Sequence, residues 1–179
     1  RTCTPGVPLP TPFAGVDCSR SDEDEGPLRF YFELPGGEDP SGEFFRLPFP
    51  NDARLDGQGR PDLEGFPTPG PGVVGFDIVQ TYVDALERDG RGWGTNQTIY
   101  VRSSGTLQLD TLNAQGDGRT MYLVDIDPDS PGYDQTVPVS WVARGGGGSK
   151  RRYICQNWMA VRPFWGRPLR PATTYALVV

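Results

Sequence analysis

TMYLVDID (residues 120–127), TVPVSWVA (136–143), RRYICQNWMAV (151–161) and TTYALVV (173–179) follow one another through the C-terminal third of the chain. An Asp-rich turn separates the first two runs, a glycine loop the next two, and a Pro/Arg segment the last two. Short runs rich in Val, Ile, Tyr and Trp, divided by turn residues at close intervals, predict an antiparallel meander and from it a β-sandwich. Both faces of TMYLVDI are largely apolar, the pattern of a central strand. Pro138 has no N–H to give to a ladder, so TVPVSWVA is expected at a sheet edge or with a bulge at that point.

Upstream, the strand character extends back to Thr95. TIYVRSS alternates, and LQLDTL places Leu107 and Leu109 on one side. Further back, LRFYFEL has a clean period of two: Leu28, Phe30, Phe32 and Leu34 share one face, and Arg29, Tyr31 and Glu33 the other. The single helix expected carries Phe76, Val79, Tyr82, Val83 and Leu86 on one stripe, ends near Gly90 and covers a face of the sandwich. Around these lie five prolines in residues 1–27, the acidic run Asp22-Glu23-Asp24-Glu25, and Gly/Pro punctuation over 56–73. The expected division is an N-terminal extension over 1–94 and a sandwich domain over 95–179.

A chain of 179 residues can bury a real core. Its 24 Gly and 19 Pro, combined with 11% aromatics, suit turn-dense β structure better than disorder or helix. A net charge of -6 without a basic stripe argues against nucleic acid as a partner. Lys150-Arg151-Arg152, after a glycine run, reads as a solvated loop. No apolar run approaches the ~20 residues of a membrane-spanning helix, and no leader is visible, so the chain is either cytosolic or begins after a removed leader. The cysteines favour export. Cys3 and Cys18 flank an unpatterned Pro/Gly segment that a disulfide would order, contributing about 3 kcal/mol in the chain-entropy model. Cys155, on a strand face with Tyr153, Met159 and Val161, is then expected to be a buried free thiol.

Catalytic chemistry finds little footing. The chain has no histidine, which removes Ser-His-Asp and Cys-His catalysis and the commonest general base. GGGGSK (145–150) has Ser and Lys in the wrong order for a phosphate loop and precedes a strand, so it reads as a flexible hairpin loop. Among the 23 acidic residues nothing nominates a glycosidase pair. One metal site suggests itself in DIDPDSPGYD: Asp125, Asp127 and Asp129 alternate, Gly132 permits a turn and Asp134 closes it, a spacing of hard oxygen ligands suited to calcium. The opposing reading is a solvated Asx-type turn, since no bidentate Glu follows and two prolines stiffen the loop. Trp141, Trp158 and Trp165 are candidates for an aromatic platform binding glycan or polymer, against the plainer reading of core and cross-strand packing.

RLPFPNDARL (46–55) with DLEGFPTPGP (62–71) resembles the opening of large exported bacterial proteins, among them the N-terminal domain of virulence-factor lipases and related surface lipoproteins. The stretch from TNQTIYVRSSGTLQLDTL through VPVSW to RPLRPATTYALVV is similar to bacterial Ig-like domains of the S-layer-associated type. Its corner is Pro168, Leu169, Pro171, Thr173 and Tyr175. The resemblance implies an all-β, Ig-like sandwich with an N-terminal extension and one short helix. It further implies a non-catalytic, secreted or cell-surface module with a positioning or adhesion role. A glycan-binding module and an accessory domain of a secreted hydrolase are the alternatives. That pattern continues with another turn and strand where this sequence reaches Val179, so the last strand is expected from downstream or from another chain at the sheet edge.

Overall fold

The structure, a computed structural model, describes residues 13, 15–19, 26–36, 42–71, 75–144 and 153–179. The glycine loop, the basic cluster, the acidic run and Cys3 lie outside them. Within them are strands β1 (Ile99–Arg102), β2 (Tyr122–Asp125), β3 (Thr136–Val137), β4 (Val139–Arg144), β5 (Trp158–Pro163) and β6 (Tyr175–Val178) and one α-helix, α1 (Ile78–Asp89). All pairings are antiparallel and build two three-stranded sheets, β1-β5-β4 and β3-β2-β6. β2 is central, as its two apolar faces predict. LQLDTL forms a 3-10 turn at Leu109–Thr111 in place of a strand.

The two sheets share one core. Leu123 of β2 meets Val139, Met159 and Val161 of the other sheet, with Met121 and Ala114 beside them. Side chains alternate across a strand, so the inner face takes Trp141, paired with Val161, while Ala160 and Trp158 turn outward. Each fully buried aliphatic side chain there contributes roughly 1.5–3 kcal/mol. Pro138 has a definite place in this plan. β3 pairs with β2 and β4 pairs with β5, so the chain changes sheets at Pro138, where a residue without an N–H leaves neither ladder short of a donor.

A second core sits on the outer face of β1. Phe44, Phe45, Phe49, Leu63 and Val83 are buried together with Phe66, Trp93 and Tyr100 packed against them, mostly in edge-to-face geometry. β1 divides the two: Ile99 packs on the first core and Tyr100 on the second. The N-terminal segment is held there by charge as well. Arg102 and Glu43 form a buried ion pair, and Arg102 also donates to the Gln156 carbonyl oxygen. Arg46 donates to Glu33 at 2.6 Å and lies 3.9 Å over the Tyr31 ring. Burial pulls the Arg46 guanidinium down, but Glu33 foremost, with Tyr31 and Glu43, offsets it and the net shift is upward. Arg54 is lowered by burial, though Asp62 and Glu64 oppose the shift, and it rests 3.8 Å over the Phe44 ring while donating to the Phe44 carbonyl.

Three expectations are corrected. Residues 28–34 are extended but join the sheet only through an isolated bridge, Phe30 to Ser103. Only Tyr31 of the segment is buried, while Leu28, Phe30, Phe32 and Leu34 on the opposite face are exposed. Arg46 and Arg102 draw the Tyr31 ring inward by stacking on it, and the aliphatic and Phe side chains must then face out. The helix forms, capped by Asp77, whose carboxylate accepts from Val79 and Gln80. Of its predicted stripe only Val83 is buried; Phe76, Tyr82 and Leu86 are exposed. The helix docks through the Val83 side because Glu87, one turn on, accepts the Leu63 backbone N–H at 2.8 Å. Finally, Cys18 is bonded to Cys155, so Cys155 is not a free thiol and Cys18 is not paired with Cys3. The bond ties the leader to the approach to β5, a pairing across 137 residues that local loop composition cannot announce.

Candidate functional site

The Asp-rich turn is a closed polar junction. Asp125 ends β2 with its side chain 1% exposed, and each of its carboxylate oxygens is occupied. Oδ1 accepts from the Asp127 N–H at 3.1 Å; Oδ2 accepts from the Ser130 hydroxyl at 2.6 Å and from Arg170 at 3.4 Å. Asp127 in turn accepts from the Asp129 N–H at 3.0 Å. Asp134 serves through its backbone, adopting φ 63 and donating its N–H to the Asp125 carbonyl. The calcium expectation is therefore not met by the geometry. The carboxylates cap N–H groups in successive Asx turns, and among the described residues no group of three or more His, Cys, Asp or Glu is placed to hold a metal. The Arg170 side chain occupies the space beside Gly132: a Cβ there would stand 1.5 Å from a guanidinium nitrogen and would displace that side chain from Asp125.

The tryptophans do not make a platform. Trp141 faces the inter-sheet core, and Trp158 lies on the opposite face of the sheet beside Tyr100, ring centroids 5.9 Å apart. Trp165 is in the turn after β5, 69% exposed, with the Arg162 guanidinium 3.8 Å over its ring. Their separation follows from the β4–β5 register, which pairs Trp141 with Val161 and Trp158 with Arg144.

What the fold does assemble is a groove of about 770 Å³ between the two sheets at their β1 and β6 side. Ile99 and Val101 of β1, Leu123 of β2 and Leu177 of β6 line it, so it reaches the core. Phe30 and Phe32 form the facing wall, with Trp93, Pro48 and Pro50 near them and Arg91, Arg170 and Asp52 as its charged residues. The aromatic wall is the exposed face of the 28–34 segment, held in place because Tyr31 on the other face is buried and its N–H donates to the Arg102 carbonyl.

The two strands bordering this groove differ at their edges. The outer edge of β1 is covered: Tyr100 and Phe49 exchange backbone hydrogen bonds at 2.7 and 3.0 Å, and Tyr31 bonds to Arg102. Among the described residues β6 is paired on one side only, with β2. Ile126 N–H donates to the Thr174 carbonyl. In an antiparallel ladder alternate residues bond the same neighbour, so Ala176 and Val178 also face β2, while the main-chain groups of Tyr175 and Leu177 face outward. Among the described residues no backbone hydrogen bond reaches those outward groups. At the start of β6 the Tyr175 hydroxyl accepts the Arg170 N–H at 3.2 Å, which fixes the corner leading into the strand.

Sequence reasoning missed the groove because its parts are far apart in the chain and two walls come from segments read as ordinary strands. The one available signal was the TTYALVV strand at the end of a sheet with no partner assigned. Compared with protein-family models, characterised proteins and solved structures, the chain matches none.

Proposed function

We propose that this chain is a non-catalytic Ig-like module of an exported bacterial surface or secreted protein, and that it works by docking and positioning. The observation that carries the reading is the groove itself, an apolar cleft bordered by an open strand edge. Its charged Arg170 is engaged in holding Asp125, and its lining has the composition of a recognition surface. The Ig-like assignment is supported by two sheets around one core and by the Tyr175-to-Arg170 bond, the geometry of a tyrosine corner. Export is supported by the Cys18–Cys155 bond, since disulfides persist in oxidising compartments. No helix among the described residues is long and apolar enough to cross a membrane.

The test is capture of bacterial envelope material by the immobilised protein, with the extract treated beforehand by protease or by periodate. The reading predicts capture that protease abolishes and that Leu177→Asp weakens at least tenfold. Capture abolished by periodate and by Trp165→Ala would instead favour glycan binding, the second reading, for which the exposed Trp165 is the supporting observation. Turnover of ester or glycoside substrates by the folded protein would contradict both.

A further inference from the structure

The docking reading leaves open what occupies the groove, and the main chain of β6 narrows the choice. We infer that it takes an extended segment of a partner polypeptide, which adds as a strand to the edge of β6 that no described residue pairs with and inserts alternate aliphatic side chains between the sheets. The inference rests on the proposed docking role and specifies its ligand.

Two observations support it. The outward N–H and C=O groups of Tyr175 and Leu177 lie at the repeat of a strand, and another extended backbone meets both sets at once. A compact apolar ligand could fill the cleft but would leave those groups unpaired. Behind the edge, half-buried Ile99 and Leu177 present aliphatic surface from both sheets over a floor of buried Val101 and Leu123, and exposed Phe30 and Phe32 stand among the lining, suited to apolar side chains at every second position.

The same facts disfavour a second copy of this chain. Its β6 already commits Tyr175 and Leu177 to its own core, so it has no inward side chains to fill the facing groove. A four-residue edge is only ~13 Å long, and a single strand pair of that length falls short of the roughly 1,000 Å² expected of a stable interface. A copy also brings the like net charge of -6.

The experiment is an amide NMR titration of the full chain with a six-residue peptide of alternating valine and threonine. A second peptide carries N-methyl groups at the amides that would bond to β6. The inference predicts downfield shifts and slowed exchange at the Tyr175 and Leu177 amides, tenfold or greater weakening by N-methylation, and the same weakening by Leu177→Asp. The N-methylated arm needs no protein variant, so it holds even if that substitution unfolds the chain. Equal binding of both peptides would overturn the inference in favour of an apolar ligand site. Shifts confined to Ile78, Tyr82 and Leu86 would overturn it by placing the peptide on the exposed helix face. A dimer by light scattering that protects the two amides without peptide would overturn it in favour of self-association. If neither peptide touches β6 while envelope capture still needs Leu177, the strand inference falls and the docking reading stands; if capture is also indifferent to Leu177, both fall.

Discussion

Arg102 and Glu43 form an ion pair in which both side chains are nearly sealed from water, 1% and 4% exposed. They join the C-terminal end of β1 to the N-terminal segment, 59 residues away in sequence. An ion pair in that position costs desolvation that its attraction and hydrogen bonds must match. Breaking it from one side leaves a buried charge alone.

Arg102→Met should therefore destabilise the protein by about 3–5 kcal/mol. The double variant Arg102→Met/Glu43→Leu should recover much of that loss, since neither charge remains. Urea unfolding of the two singles and the double checks this. Additive losses would show that the two residues act independently.

Reduction of Cys18–Cys155 should lower stability by about 5 kcal/mol in the chain-entropy model, because the bond closes a loop spanning 137 residues. Non-reducing peptide mapping should join the Cys18 and Cys155 peptides and leave Cys3 open to alkylation. A Cys3–Cys18 peptide would contradict the structure.

At the Asp-rich turn, Asp125→Ala should cost roughly 1–3 kcal/mol, the scale of orphaning its buried donors. Millimolar calcium followed by chelator should leave the melting midpoint of the parent protein where it was. A calcium-dependent rise would restore the metal reading of Asp125, Asp127 and Asp129.

The strand runs of the C-terminal half were legible because their signal is local: alternation, β-branched content, and a proline that marks where the chain changes sheets. Residues 28–34 show where that signal stops. They are extended, yet which residue is buried was decided by Arg46 and Arg102 stacking on Tyr31, contacts made by distant side chains. The helix stripe failed similarly, because Val83 alone meets the aromatic cluster and Tyr82 and Leu86 have no surface to cover. Cys18 with Cys155 and the walls of the groove are long-range meetings too. Composition identifies the residues but not their partners.

Asp56 is held below the usual carboxylate range by hydrogen bonds from the Arg60 backbone and side chain and the Gln58 N–H. A depressed folded-state value contributes stability above the unfolded value of ~3.9 and loses it as pH falls through the folded value. NMR titration of the Asp56 carboxyl should give a midpoint below that of Asp56 in an unfolded peptide, and Arg60→Gln should raise it. An unchanged midpoint in Arg60→Gln would assign the shift to the backbone donors alone.

The account turns on β6 being an open edge above an apolar groove. Hydrogen exchange of the free protein, resolved to single amides, tests that directly. Ala176 and Val178, bonded to the central strand, should exchange slowly, whereas Tyr175 and Leu177 should exchange faster by at least tenfold. Uniform protection across Tyr175–Val178 at low protein concentration would mean that the edge is covered, and would contradict the account.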